Sequence, residues 1–316
     1  MEQHSENIMS YVDIPEKKIT CPLCFIEIDT EIINYHIDEC LALNDIHIEH
    51  KKIYKKHKLS EVCKKAYKYC TKKSKILSKY IYPNLLMKFI ELDYTEDDLT
   101  TVIKYIQNEA PITINVRNET IINYLVNDDH YKNCFEIGDT HKAVSTDVRF
   151  CAESNMFNKL YDKCDAIDRV KYGSINLFDS ENGNPTCLAY GDVVLVLKNE
   201  IKKRTSFTIG DSFEMQFHIG TFQYSSIFLI NIKDPLIHAL ISFVKTRKKL
   251  ASYEILYLYK KGLYKKGECA YIEIQIHGLI RLNEDIEKII INKKNMSQKI
   301  NEFCDKNDIE LVVLDA

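Results

Sequence analysis

Hydrophobic positions recur along this chain in two rhythms. Over residues 46–82 the apolar side chains Leu59, Val62, Ala66, Cys70, Leu77 and Tyr80 return at intervals near three, four or seven, which predicts an amphipathic helix that Pro83 should end. Thr95, with Asp98 three residues on, reads as an N-cap opening a second helix that stops before Pro111. The shorter rhythm of strands then takes over, with candidates at 112–116, 172–177, 192–197, 206–209, 226–232, 271–277 and 309–314. Helical spacing returns at 120–126, 156–163, 235–250, 284–290 and 296–306. Between Tyr172 and His277 the strands arrive without the regular helix after each one that a doubly wound sheet needs. The expectation is therefore an α+β fold on a mainly antiparallel sheet, with a split sheet as its variant.

Three segments follow: a small ββα module at 1–45, a lysine-rich helical linker at 46–82, and an α+β domain at 83–316. A chain of 316 residues with 45% hydrophobic content is long enough for one large core beside a small one. No run of 18 apolar residues occurs and the first ten residues are polar, which predicts no membrane span, no secretory signal and a cytoplasmic or nuclear location. Eleven cysteines in such a chain point to free thiols and metal ligands rather than disulfides. The net charge of −3 conceals an asymmetry: residues 51–80 hold twelve lysines and one acid, a local +11, so the remainder sums to −14. A solvated helix face explains that run more simply than a nucleic-acid contact, and both readings are carried forward.

The most specific chemistry lies near the start. Cys21, Cys24, His36 and Cys40 follow the spacing Cys-x2-Cys-x11-His-x3-Cys, in which a tight knuckle supplies half of a zinc tetrahedron and two helical residues, four apart, supply the rest. Metal binding would also supply the folding energy that so small a module lacks. The residues Cys21-Pro22-Leu23-Cys24 and His36-Ile37-Asp38-Glu39-Cys40-Leu41 resemble the ubiquitin-binding zinc finger of translesion-repair ubiquitin ligases. That resemblance implies ubiquitin, or a ubiquitinated protein, as partner, with Asp38 at the contact.

In the large domain the strand at 271–277 carries Glu273, Gln275 and His277 on one face, while Ile272, Ile274 and Ile276 enter the core. Three polar groups on one strand face mark a candidate catalytic site. Glu273 and His277 lie about 13 Å apart along such a strand, too far to act as a direct acid/base pair. No phosphate-binding Gly-x-x-x-x-Gly-Lys and no Gly-x-Ser-x-Gly elbow occurs. Cys134, Cys151 and Cys187 have no local group to lower a thiol pKa and read as structural.

Ala110-Pro111-Ile112-Thr113-Ile114, Tyr131 to Glu136, Arg169 to Asn176, Tyr190-Gly191-Asp192, Gly210-Asp211-Ser212 and Tyr271 to Gly278 together resemble a family known only by a domain-of-unknown-function label. Where that family has His after its first strand, this chain has Arg117. The final run also resembles the catalytic strand of ADP-ribosyltransferases, although Gln275 replaces one acid of their Glu-x-Glu. This second resemblance implies NAD as substrate and Glu273 as the carboxylate facing its ribose. Arg117 would clamp the cofactor, with Tyr172 and the Arg204-Thr205-Ser206 segment as further contacts. Two function classes stay open: a ubiquitin-recruited ADP-ribosyltransferase, and a non-catalytic ubiquitin reader in the DNA damage response with a basic nucleic-acid-binding helix. A finger that contacts DNA instead of ubiquitin is a third.

Overall fold

The computed structural model describes residues 18–20, 27–29, 59–138, 145–210, 212, 219–263 and 271–315. The chain divides into two compact units, 1–52 and 53–316. In the first, β1 (Lys18–Thr20) and β2 (Glu27–Asp29) form an antiparallel pair with Ile19 opposite Ile28. Cys21, Cys24, His36, Asp38 and Cys40 lie outside the described residues.

The second unit opens with α1 (Glu61–Glu91), capped by Ser60, whose side chain accepts from the Cys63 amide. This helix runs straight through Pro83 and does not stop there. A proline costs the helix one hydrogen bond, but Cys63, Ala66, Tyr67, Cys70, Leu85 and Phe89 are all buried on one side of α1, before and after it. Pro83 itself sits on the exposed side, so packing overrides the local preference. The expected boundary at residue 83 therefore falls inside one helix, and residues 61–82 belong to the large unit. Next comes α2 (Glu96–Asn108), with the anticipated capping box: the Asp98 amide donates to Thr95 Oγ1 at 3.2 Å, and the Thr95 amide to Asp98 Oδ2 at 3.0 Å.

The chain then alternates through β3 (Ile112–Val116), α3 (Asn118–Asn123), α4 (Cys134–Ile137), α5 (Thr146–Met156), β4 (Lys171–Ile175), β5 (Val193–Leu197), β6 (Thr205–Ile209) and β7 (Gly220–Thr221). It closes with α6 (Ser226–Ile230), α7 (Asp234–Thr246), α8 (Ser252–Gly262), β8 (Ile272–Ile276), α9 (Leu282–Asp285), β9 (Ile286–Asn292), α10 (Gln298–Asn307) and β10 (Glu310–Leu314). Two expected elements change type. Where a strand is expected at 226–232, residues 226–230 form helix α6 because Ile227, Phe228 and Leu229 are buried on all sides, a short apolar run whose periodicity cannot tell helix from strand. Of the helix expected at 284–290, residues 286–290 instead open β9, whose Ile289 and Ile291 are fully buried and whose β-branched run suits a pleated surface. The helix expected at 156–163 lies earlier, as α5, and ends where Asn158 and Lys159 take positive φ.

The strands form one open sheet in the order β10-β9-β5-β3-β4-β8-β6-β7, antiparallel except for β9 with β10, so the architecture is α+β as the strand pattern predicted. One face is apolar. Ile112, Ile114, Leu195, Phe207, Ile272, Ile274 and Ile276 join Leu236, Leu240 and Tyr259 of α7 and α8 in the main core. Each such isoleucine stabilises the fold by about 1.5–3 kcal/mol. The other face is polar across β4, β8 and β6, where Ser174 opposes Glu273, Tyr172 opposes Gln275, and Ser206 and Thr208 flank from the far side. Leu59, Cys63, Ala66 and Cys70 form a second cluster with Met156, Phe157, Tyr161 and Val170.

A cationic cavity where two strands part

β3 and β4 pair only at Ile112–Ile175 and Thr113–Ser174, although each strand continues for five residues. Beyond that point they separate, and a cavity of about 470 Å³ opens between Ile114–Arg117 on one side and Lys171–Ser174 on the other. This volume lies within the ordinary range for small-molecule sites. The close approach at the fork depends on Gly173, where a Cβ would collide with the Thr113 carbonyl. Gly191, at φ +145°, lets the turn before β5 press against the end of β3 in the same way, and its carbonyl accepts from Asn115 Nδ2 at 3.0 Å.

Glu273 reaches the cavity from the start of β8 and is 3% exposed. Gln275 Nε2 donates to Glu273 Oε1 at 3.0 Å and lies within 3.1 Å of Thr208 Oγ1. Ser174, paired with Glu273 across β4, lies 3.3 Å from Thr113 through the two hydroxyls. Among the described lining residues Glu273 is the one carboxylate, and Arg117, Lys132, Arg149 and Lys171 are the cations around it. Arg149 of α5 stacks 4.1 Å from the centre of the Tyr172 ring. Burial disfavours its charge, but Tyr172 and Glu273 more than offset this and hold its pKa above the ordinary arginine value. Lys171 is buried and donates to the Ile167 and Arg169 carbonyls at 2.5 and 3.0 Å; burial pulls its pKa down while Glu136, 4.0 Å away, opposes that. Behind Tyr172, its hydroxyl donates to Glu153 at 3.0 Å, and Glu153 pairs with Arg169 at 2.7 Å. Burial pushes the Glu153 carboxyl up, against the pull of Arg169. The guanidinium of Arg169 is itself sandwiched between the Phe135 and Phe150 rings at 4.2 and 4.7 Å. Tyr190 and Tyr271 complete the wall, edge to face at 6.0 Å with their hydroxyls 2.9 Å apart. Cys134 and Cys187 also line it, and burial raises the Cys134 thiol pKa, as befits a structural thiol.

Of the expected residues, Glu273, Arg117 and Tyr172 come together in this cavity. Gln275, His277, Arg204, Thr205 and Ser206 do not line it. The reason is strand order: β6 flanks β8 on the side away from β3, so the strand between Arg117 and Glu273 is β4, and Ser174 takes the position expected of Ser206. Arg204 is buried and spans the exit of β8, donating to the His277 and Leu279 carbonyls, each at 2.6 Å, and to Asp285 at 2.9 Å. Thr205 donates to the Ile201 carbonyl at 2.7 Å. Ser206 donates to Gln275 Oε1 at 3.0 Å and lies 3.1 Å from His277 Nε2, while Tyr161 meets His277 Nδ1 at 2.8 Å. Burial, with Arg204 adding to it, lowers the His277 pKa to about 3, so the ring is neutral. A continuous chain of hydrogen bonds thus runs from Tyr161 through His277, Ser206 and Gln275 to the cavity carboxylate.

Sequence reasoning missed Ser174, Arg149 and the Tyr190–Tyr271 wall. Ser174 was readable, since alternation puts it on the face of Tyr172; nothing local marked Arg149. Among the described residues no three His, Cys, Asp or Glu side chains are grouped to hold a metal ion, and no helix is long and apolar enough to cross a membrane. A family model described as "Protein of unknown function (DUF3626)" matches residues 110–315, a span that takes in every described residue lining the cavity. No curated protein matches the chain.

Proposed function

The chain belongs to this DUF3626 family, and on the chemistry of its cavity we propose that it transfers ADP-ribose from NAD to a protein acceptor. The observation that carries the reading is the delivery of Arg117, the Tyr172–Ser174 pair and Glu273 to one cavity by three neighbouring strands, β3, β4 and β8. Several cations around one carboxylate, among the described lining residues, suit a ligand that brings a diphosphate and develops positive charge elsewhere. Arg117 and Arg149 would engage the diphosphate, for which guanidinium groups are well shaped. In the transfer, the bond from ribose C1′ to nicotinamide nitrogen breaks and its electron pair leaves with nicotinamide. Glu273 would orient the 2′-hydroxyl and stabilise the oxocarbenium ion. An acceptor oxygen or nitrogen then bonds to C1′ and gives up its proton to solvent or a nearby base.

The finger would recruit ubiquitin or a ubiquitinated protein and raise its concentration at the cavity, which makes ubiquitin itself a candidate acceptor. Zinc there rests on donor chemistry: three thiolates and an imidazole at the spacing of a structural site, with Cys21 and Cys24 in the segment joining β1 to β2. One zinc per chain, lost in Cys40→Ser and kept in Asp38→Ala, is the expected metal content. The second reading, a ubiquitin reader that binds nucleic acid, draws on the exposed Lys65, Lys68, Lys72, Lys73 and Lys79 of α1. It predicts nucleic-acid affinity that falls steeply with salt. Incubation with labelled NAD, with and without ubiquitin, followed by intact-mass measurement, separates the two. Release of nicotinamide, with label on protein, supports the transferase; no binding and no consumption of NAD in either arm removes it.

A further inference from the structure

The hydrogen bonds between Tyr161 and Glu273 can all be satisfied in one direction only. Tyr161, His277, Ser206 and Gln275 are fully buried, so each donor among them has to find an acceptor within the protein. An ionised carboxylate accepts and never donates, which obliges Gln275 to present Nε2 to Glu273 Oε1 at 3.0 Å and to Thr208 Oγ1 at 3.1 Å. Thr208 in turn donates to the Gly210 carbonyl at 3.3 Å. Gln275 Oε1 is then left to accept from the Ser206 hydroxyl at 3.0 Å. With its proton so committed, Ser206 has to accept from His277 Nε2 at 3.1 Å. Because burial and Arg204 lower the His277 pKa to about 3, the ring carries one proton, at Nε2. Its bare Nδ1 accepts from the Tyr161 hydroxyl at 2.8 Å.

We propose that Gln275 and His277 are positioning residues for Glu273, with His277 fixed as its Nε2–H tautomer so that Gln275 offers an N–H to the ionised carboxylate. Reversal requires every member to turn together. The Gln275 amide flips, the Ser206 hydroxyl donates to Nε2, and the imidazole proton moves to Nδ1. The flipped amide then sets an oxygen against Glu273 at the same short distance, which is tolerated only when Glu273 itself carries a proton. Ionisation at the cavity is therefore coupled to the tautomer of an imidazole about 13 Å along the strand. The amide cannot relay a proton, so the chain conveys direction and not charge. Nothing else nearby changes charge near neutral pH: burial raises the pKa of the Cys63 and Cys70 thiols and of the Tyr161 and Tyr172 hydroxyls, and Arg149 and Arg204 stay charged. The use made of the ionised carboxylate rests on the transferase reading; the coupling itself does not.

Nitrogen-15 spectra of the histidine-labelled full chain test the coupling without any ligand, the His277 signals being identified by their loss in His277→Gln. At pH 7 the expected state is a bare Nδ1 and a protonated Nε2. Glu273→Gln, whose amide can donate as well as accept, should give a mixture of both tautomers. Gln275→Met removes the N–H and should raise the pH midpoint of the Glu273 carboxylate infrared band, read as the difference made by adding Glu273→Gln, by about one unit or more. The acid limb of NAD turnover should move with it. An Nδ1–H tautomer in the wild type overturns the proposal, as does a Glu273 midpoint unchanged by Gln275→Met. If Gln275→Met does not fold, the wild-type tautomer and its response to Glu273→Gln still decide. A wild-type chain that never consumes NAD removes the transferase reading and leaves both spectroscopic outcomes standing.

Discussion

Glu273 and His277 leave the same strand on the same side, and their surroundings separate them completely. Around Glu273 the neighbours are cations, hydroxyls and an open cavity formed where β3 parts from β4. Around His277 they are the rings of Tyr67, Phe157 and Tyr161, with centroids 5.4, 5.4 and 6.1 Å away, and no solvent at all. Alternation along a strand decides which side a polar group takes; whatever covers that side decides whether it meets a ligand or becomes part of the interior. Between the two, Gln275 and Ser206 join the regions through hydrogen bonds, so the sealed end supports the carboxylate at the open end.

The contrast can be broken at either end. The largest expected effect is at the sealed end: Arg204→Ala strands the Asp285 carboxylate and two carbonyls, and should cost about 3–5 kcal/mol in urea unfolding. At the open end, Glu273→Gln should keep the melting temperature and lower NAD turnover about 10²–10³-fold, the usual effect of removing one preorganised transition-state contact. Equal activity in that variant would move the carboxylate role elsewhere. An intermediate effect comes from pH. His277 has a native pKa of about 3, below its ordinary 6.5, so the stability it contributes is full above pH 6.5 and is lost as the unfolded chain takes up a proton on the way down to 3. Between pH 7 and 5 this amounts to roughly 2 kcal/mol, and His277→Gln should show a correspondingly shallower acid loss in paired urea titrations. The smallest effect belongs to Arg117→Ala. A rim guanidinium that contacts bound NAD before the transition state should, when removed, raise the NAD concentration for half-maximal rate about tenfold and lower the rate as well. A change confined to the rate would show that Arg117 acts in the transition state alone.

Much of this arrangement was readable before any coordinates. The alternation of Ile272 to His277, the capping box at Thr95 and Asp98, and β3 through β6 follow from local periodicity and end signals. What local pattern cannot carry is spatial order. Arg204-Thr205-Ser206 has the composition of a site strand, yet β6 lies beyond β8, and the less conspicuous Ser174 occupies the cavity. The same limit explains α1: a proline ends a helix by default, and only the buried residues on both sides of Pro83 show why this one continues. Residues 226–232 and 286–292 show the matching ambiguity of short apolar runs.

The sheet order has a consequence for how the protein is made. β8 lies between β4 and β6, yet about 100 residues separate Lys171 from Ile272, and β6 is synthesised well before its neighbour. At about 5–20 residues per second, a ribosome needs roughly 5–20 seconds to go from one to the other. Through that interval β4, and from its completion at Ile209 β6 as well, exist with the backbone edges that will later grip β8 unpaired, and the pocket lacks its carboxylate. Long-range pairing of this kind folds slowly and leaves strand edges open to wrong partners. The nascent chain should therefore bind a strand-shielding chaperone until Glu273 has left the exit tunnel, and release it soon after.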